Sequence, residues 1–363
     1  VYTLTLEIVN SCNLDCKYCY LGEKTNEFMS SEIGIKAIEL AVHEAKKQYD
    51  KTFCIYYIGG EPLLAFELIK KLTEYTIELC KKNDLIALFS TTTNGTLITK
   101  EVMDYLILYK FELKVSLDGR ESVHNKNRID YYGKGSYSAV FEKMDMLKAF
   151  EEKTGKFVSI VNVVTQNTYA ELLDSFKHIY SLGFKRIETA IDNYCAWTEE
   201  EKLTIAKELK EIFIFMRDSI LPKDPYFFWN PFVNYLTSYI KNVIYYPCRA
   251  GMCSSYITSD GNIFTCLGIP EFKIGNVWSG LQVTNIRQIV YLEERMPEKC
   301  EVCEYLKHCK IRSCLMNNYV INGDRSEPVE MECFIAKIFF ELIKNNFTEK
   351  QLSAFRKSIT KGS

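Results

Sequence analysis

Histidine is scarce in this chain, with 4 in 363 residues, beside 3 tryptophans and 8 prolines. So few imidazoles argue against a histidine-rich metal site. An excess of one charge is missing too. Lys and Arg number 45 against 47 Asp and Glu, a net of −2, so there is no electrostatic reason to expect nucleic acid as a partner. The apolar runs are too short to span a bilayer, and no membrane is expected. No charged segment followed by an apolar one opens the chain, so no secretory signal is visible. Residue 1 is Val rather than Met, which is consistent with a trimmed N-terminal piece. Hydrophobic residues make up 47% and charged residues 25%, an ordinary globular composition with length enough for a sizeable core. What the chain has in excess is cysteine, 14 in all. Without an export signal, so many thiols do not read as a disulfide framework. Metal or redox chemistry is the expectation.

The first two-thirds alternate strand-like and helix-like patterns. Strands are expected at 3–9, 53–58, 86–91, 112–117, 157–164 and 184–190, each rich in β-branched and aromatic residues. Amphipathic helices are expected at 30–48, 66–82, 99–109, 136–153 and 169–182, with Ser30 and Thr99 as caps. This predicts an α/β fold with a right-handed parallel sheet. Six units are two short of a closed eight-fold barrel, so the arrangement reads as an open, partial (β/α)6 barrel. A further helix is expected at 198–219. An aromatic and proline stretch, 221–247, then reads as a bridge. Its Tyr226-Phe227-Phe228-Trp229 run is expected to pack two domains together, with peptide docking as the alternative. From Cys248 onward cysteine is dense and periodicity poor, which predicts a small metal-stapled domain over 248–340, followed by a helical and polar tail over 341–363.

Directly after the first strand come Cys12, Cys16 and Cys19, spaced C-x3-C-x2-C. Three thiolates from one tight loop can hold a four-iron cluster with one iron left open. An open metal position marks catalysis rather than structure. The alternatives are a zinc loop completed by a distant residue, or three core thiols.

The C-x3-C-x-aromatic-C pattern, with Tyr18 as the aromatic, resembles the radical S-adenosylmethionine (SAM) superfamily. The resemblance implies that the open iron chelates SAM and that one-electron cleavage yields a 5′-deoxyadenosyl radical, the cofactor supplying the difficult chemistry. Gly59-Gly60-Glu61-Pro62 ends the second strand and resembles the family's SAM-amino-group motif, its glycines allowing close backbone approach. Thr93-Asn94-Gly95-Thr96 ends the third strand. Ser116-Leu117-Asp118-Gly119 ends the fourth and is followed by His124, Arg128 and Gly133-Lys134-Gly135-Ser136. That run is similar to peptide-modifying radical SAM enzymes, and it implies that Ser116 and Arg128 lie near the SAM carboxylate. The implied SAM-binding set is Tyr18, Gly59, Gly60, Glu61, Pro62, Asn94, Ser116, Asp118 and Arg128. Each motif alone is a weak signal, since Ser116 and Asp118 also suit a simple turn. Their common position at strand ends, where β/α barrels keep their active sites, is not what core packing predicts.

The C-terminal cysteines run Cys248-x4-Cys253, Cys266, Cys300-x2-Cys303-x5-Cys309-x4-Cys314 and Cys333. This resembles the SPASM extension of radical SAM peptide maturases, with x4 in place of x3 before Cys314, read as a one-residue insertion. The resemblance implies two auxiliary [4Fe-4S] clusters, one on Cys248, Cys253, Cys266 and Cys314, the other on Cys300, Cys303, Cys309 and Cys333. With the SAM-binding cluster that makes three. Cys54 and Cys80 read as core thiols, as does Cys195, although its place just after the sixth strand keeps a functional role open. The alternative for the region is a pair of zinc sites, and for the whole chain a zinc-stapled binding protein on a degenerate barrel.

Anaerobic sulfatase maturases resemble this chain closely but carry an Asp directly after the cysteine that corresponds to Cys266. Here that residue is Leu267, and no general base is named by the motif. The reading is therefore a peptide maturase acting on a ribosomally made precursor and forming a cysteine thioether. A formylglycine-forming sulfatase maturase, or a C–C crosslinking or epimerising maturase, is the alternative. The implied partners are a precursor peptide and an electron donor such as a flavodoxin or ferredoxin, in a reducing, anaerobic cytoplasm. The leader-binding domain of many such maturases is not visible in this sequence.

Overall fold

The computed structural model describes residues 1–22, 24–241, 250–290 and 296–353. Cys248, the end of the expected bridge and the end of the expected tail lie outside the described residues. The strands are β1 (Tyr2–Val9), β2 (Thr52–Gly59), β3 (Ile86–Thr93), β4 (Glu112–Ser116), β5 (Ser159–Val164), β6 (Arg186–Ile191), β7 (Phe228–Trp229), β8 (Ser254–Ile257), β9 (Asn262–Phe264), β10 (Lys273–Asn276) and β11 (Gly280–Leu281). By its internal contacts the chain forms two compact units, one of residues 1–161 and 249–290, the other of residues 162–248 and 291–363.

In the first unit β1 to β5 run parallel in chain order, with Leu4 opposite Ile55, Ile55 opposite Phe89, Thr93 opposite Val115 and Val115 opposite Ile160. Parallel strands need crossovers, and the helices supply them. Ser31–Ala45 starts on the Ser30 cap, whose side chain accepts from the Ile33 N–H, and Lys100–Leu108 starts on Thr99 in the same way. Phe66–Lys82 spans the predicted range. The helix expected over 136–153 is instead two, Tyr137–Phe141 and Met144–Thr154. The chain tightens between them, where the Lys143 N–H bonds Val140 O three residues back.

Strand alternation sorts the two faces of the sheet. The Tyr57 hydroxyl meets Thr73 Oγ1 of the Phe66–Lys82 helix at 3.0 Å, so Tyr57 faces the helices. Its partner across β1 is Leu6, and Leu4, Leu6 and Ile8 are all fully buried. Glu7 and its partner Ile58 therefore face the other way, together with Thr5, Tyr56 and Thr92.

The free edge of β1 is not left open. β8 pairs with it in parallel, Thr3 opposite Ser254 and Leu6 opposite Ile257, and β9, β10 and β11 continue as an antiparallel meander. Residues 254–281, part of the small cysteine-rich domain expected over 248–340, thus extend the sheet of the first unit. Strands of two to four residues are too short to announce themselves by alternation, and covering an edge is a general need of sheets.

In the second unit β6 and β7 pair in parallel, Arg186 opposite Phe228 and Ile187 opposite Trp229. The Glu199–Phe215 helix opens on a reciprocal capping box between Thr198 and Glu201. The aromatic bridge belongs to this unit's own core. Trp229 is fully buried against Phe176 and Phe339, with its Nε1–H on Thr189 Oγ1 at 3.0 Å, and Phe227 packs on Phe176 and Tyr180. Only Tyr226 of the run stands out, at 82% exposure. Among the described residues no helix is long and apolar enough to cross a membrane.

Candidate active site

The loop leaving β1 is tied to its neighbours through backbone hydrogen bonds. The Asp15 and Lys17 N–H groups donate to Ile129 O and Asn127 O, and the Gly60 and Glu61 N–H groups donate to Val9 O and Ser11 O. Gly59 and Gly60 make this approach possible. A Cβ at Gly59 would sit 2.1 Å from Val9 O, and one at Gly60 would sit 2.1 Å from Ser11 O and 3.1 Å from Cys12 Cβ. In this structure, what the two glycines make room for is the cysteine loop itself.

Cys12, Cys16 and Cys19 stand on that loop. Cys12 Sγ accepts the Leu14 N–H at 3.4 Å and the Asn94 amide at 3.8 Å. Burial raises the Cys12 thiol to about 11 and lifts Cys16 as well, while Leu14 N–H and Arg128 respectively pull the other way. Lys24 reaches in beside them, its side chain only 8% exposed and its ammonium on Leu14 O at 2.5 Å. Burial works against its charge, but Cys19, Cys12 and Cys16 outweigh burial and raise its pKa. Among the described residues no three Cys, His, Asp or Glu side chains converge on one single-ion position. A four-iron cube instead takes each thiolate at a different corner, and three soft thiols on one pinned loop suit it.

The strand-end motifs surround this loop. Glu61 is fully buried and accepts from the Thr93 hydroxyl and Asn94 N–H, both at 2.7 Å, and from Leu63 N–H at 3.0 Å. Burial pushes its carboxyl up to about 7 against those three donors. Pro62 opens the short turn that follows, Pro62–Ala65. Asn94 also donates to Asn13 Oδ1 at 2.9 Å.

At the end of β4, Ser116 is buried and Asp118 gathers two partners on Oδ2, the Tyr18 hydroxyl at 2.7 Å and Arg128 Nε at 3.0 Å. Arg128 lies over the Tyr18 ring, 5.2 Å from its centroid. Burial disfavours the guanidinium, but Asp118, Tyr18 and Cys16 outweigh it and hold the charge on. This buried ion pair acts on the Cys16 thiol, Arg128 lowering its pKa and Asp118 raising it. Behind it, His124 Nδ1 accepts the Asp118 N–H at 3.2 Å.

The C-terminal cysteines fall in separate places. Cys300, Cys303, Cys309 and Cys333 line one cavity of about 80 Å³ in the second unit, with Tyr305 and Phe340. Burial pushes Cys333 up to about 12, with Cys309 and Cys300 adding to the rise. Cys314 instead lines a cavity of about 440 Å³ in that unit, with Asn193, Tyr235 and Glu332. Cys253 directly precedes β8 and its carbonyl accepts the Thr3 N–H at 3.0 Å. Cys266 follows β9 within two residues, and Leu267 packs on the cluster of Ile58, Tyr256 and Phe264. Cys80 is a buried thiol, Cys54 is half-buried on β2, and the Cys195 thiol points at Asp192 O at 3.6 Å.

The family model for the radical SAM superfamily matches residues 6–179, the stretch that holds the cysteine loop and every strand-end motif described above. Residues 6–179 form a radical SAM domain. The chain is accordingly a SAM-dependent enzyme, and its cofactors include SAM and a [4Fe-4S] cluster. A cysteine-type anaerobic sulfatase-maturating enzyme of Clostridium perfringens is 24% identical over 359 residues, covering 92% of this chain and 93% of that protein. The antilisterial bacteriocin subtilosin biosynthesis protein AlbA of Bacillus subtilis is 24% identical over 329 residues, covering 87% and 68%. The solved structure of native anSMEcpe with bound AdoMet shares the fold, with a TM-score of 0.79 at 22% identity over 98% of this chain and 99% of that one.

Some features of this site carry no motif in the sequence. Lys24, the Thr93 and Asn13 contacts and a Glu7–Tyr256 pair were not expected. For Glu7 a signal was present, a lone carboxylate in an otherwise apolar and Thr-lined strand.

Proposed function

We propose that this radical SAM enzyme is a maturase that abstracts a hydrogen from a ribosomally made precursor peptide and forms a cysteine thioether. When bound, SAM and the cluster supply the hydrogen-abstracting radical. Cys12, Cys16 and Cys19 would hold the cluster, and Arg128, oriented by Asp118 and Tyr18, would bind the SAM carboxylate. Ser116 would lie near that carboxylate, the Gly59-Gly60-Glu61-Pro62 turn would hold the SAM amino group, and Asn94 would stand beside them. Cys300, Cys303, Cys309 and Cys333 would hold one auxiliary cluster, a reading supported by their shared cavity. Cys248, Cys253, Cys266 and Cys314 would hold the other, and the two would accept the electron that a two-electron oxidation releases. A flavodoxin or ferredoxin would feed the first cluster.

The observation that carries this reading is Leu267. It packs on an apolar cluster where sulfatase maturases carry an Asp. A second reading, formylglycine formation in a sulfatase, is favoured by the near full-length similarity to the Clostridium perfringens maturase. One experiment decides between them. Reduced, reconstituted protein is given SAM and, separately, the cysteine-containing peptides encoded beside its gene and a sulfatase-derived cysteine peptide. A product short of two hydrogens and closed to thiol alkylation is expected from the first. An aldehyde formed on the second, with the first unchanged, replaces the thioether reading. Zinc without sulfide in anaerobically purified protein would overturn both.

A further inference from the structure

Glu7 lies two residues before the end of β1, on the face opposite Leu6 and Ile8. It is 5% exposed. The Tyr256 hydroxyl of β8 donates to its Oε2. Its Oε1 takes only a long contact, 3.4 Å from the Asn10 amide. No cation pairs with it among the described residues. The charged groups that act on it are Asp260 and Glu27, both acidic, and Tyr256 itself feels Tyr20 and Cys266. Burying a carboxylate with neutral donors alone is costly. Holding β8 on β1 does not require it, because the backbone register from Thr3 to Leu6 already joins them.

The place of the pair is informative. Tyr256 belongs to the cluster of Ile58 and Phe264 on which Leu267 packs. Tyr20, which acts on the Tyr256 hydroxyl, directly follows Cys19. The carboxylate thus stands on the inner face of the sheet, beside the cysteine loop, with one oxygen oriented and the other nearly unengaged.

We propose that Glu7, oriented by the Tyr256 hydroxyl, is the proton acceptor of the peptide reaction. The inference rests on the maturase reading. A peptide carbon that loses a hydrogen atom and joins a cysteine sulfur also releases one electron and the thiol proton. The hydrogen atom leaves through the SAM-dependent chemistry, the electron goes to a cysteine-held iron–sulfur cluster, and the proton goes to Glu7 Oε1. Burial raises the proton affinity of Glu7, partly offset by Tyr256 and Asn10, the direction a proton acceptor requires. Tyr256 is a positioning residue.

The test uses the reconstituted full chain and its Glu7→Gln, Tyr256→Phe and Glu7→Gln/Leu267→Asp variants. Without peptide, infrared difference spectra across pH should show a protonated carboxyl in the wild type that is absent in Glu7→Gln and displaced in Tyr256→Phe. Identical spectra in the wild type and Glu7→Gln overturn the proposal. With SAM and the peptides encoded beside the gene, crosslinked product per 5′-deoxyadenosine should fall at least tenfold, roughly, in Glu7→Gln. It should recover in the double variant, which returns a carboxylate to the same cluster. An unchanged ratio in Glu7→Gln overturns the proposal. A wild type that alters none of these peptides counts against the maturase reading instead, and the infrared comparison alone then decides Glu7.

Discussion

The imidazole of His124 and the hydroxyl of Ser136 lie 3.0 Å apart, and the direction of their hydrogen bond is fixed from both ends. His124 Nδ1 accepts the Asp118 N–H, so the proton sits on Nε2 and is donated to Ser136 Oγ. Ser136 in turn donates to Arg128 O at 2.9 Å. A neutral imidazole thus links the backbone of both members of the Asp118–Arg128 pair.

The pH dependence of stability follows from that neutrality. Burial, then Arg128, hold His124 down to about 4, with Asp118 opposing. Above the ordinary histidine value the group is neutral in both folded and unfolded chains, and the contribution is fully present. As pH falls, the unfolded chain gains a proton the folded chain refuses, so stability is lost between about 6.5 and 4, by up to about 3 kcal/mol. Urea midpoints of the cluster-free chain at the two ends of this window measure it. His124→Gln should flatten that part of the profile.

Asp118→Asn removes the charge that holds Arg128 and leaves one amide oxygen where Tyr18 and Arg128 both donate. An uncompensated buried guanidinium costs about 3–5 kcal/mol, whereas Tyr18→Phe should cost about 1 kcal/mol. Denaturant unfolding of the two variants should rank them in that order, and SAM affinity should fall in Asp118→Asn.

Gly60→Ala forces a Cβ onto Ser11 O and Cys12. The cysteine loop must shift, so the variant should lose about four irons per chain and SAM binding together. Iron and sulfide analysis after anaerobic reconstitution checks this. Full iron content with normal SAM binding would show that the loop tolerates the shift.

Replacing Cys12, Cys16 and Cys19 together by Ala should abolish 5′-deoxyadenosine formation while iron and sulfide remain at the C-terminal cysteines. Deoxyadenosine production in that variant would refute the assignment of the catalytic cluster.

Lys24→Met withdraws a positive charge from beside the three thiols. The reduced cluster carries one more negative charge, so its potential should fall by roughly 50 mV, about 1 kcal/mol for one electron. Redox titration followed by electron paramagnetic resonance reads the change, and an unmoved potential would show that solvent screens the ammonium.

Much of the domain was legible in the chain. The strands from β1 to β6 fall within two residues of their expected bounds, because runs rich in β-branched and aromatic residues alternate with capped amphipathic helices. The cysteine loop and the Gly59-Gly60-Glu61-Pro62, Asn94 and Ser116–Asp118 motifs were legible for the same reason, since each follows a strand directly. The break at Glu142 and Lys143 was not, since an amphipathic pattern continues across it. The burial of Trp229 with Phe176 and Phe339 was not legible either, because aromatic residues read alike as core and as interface.

The sequence by itself determined that Cys12, Cys16 and Cys19 share one loop, because three thiols at fixed short spacing must do so whatever surrounds them. It also determined which residues end each strand. Only the tertiary structure decided what those residues touch. It turned Gly60 toward Ser11, paired Arg128 with Asp118, separated Cys314 from the four cysteines that share a cavity, and brought Tyr256 onto Glu7 across 249 positions of chain. The last of these contacts follows from the register of β8 on the edge of β1, a pairing between distant segments that no local pattern encodes.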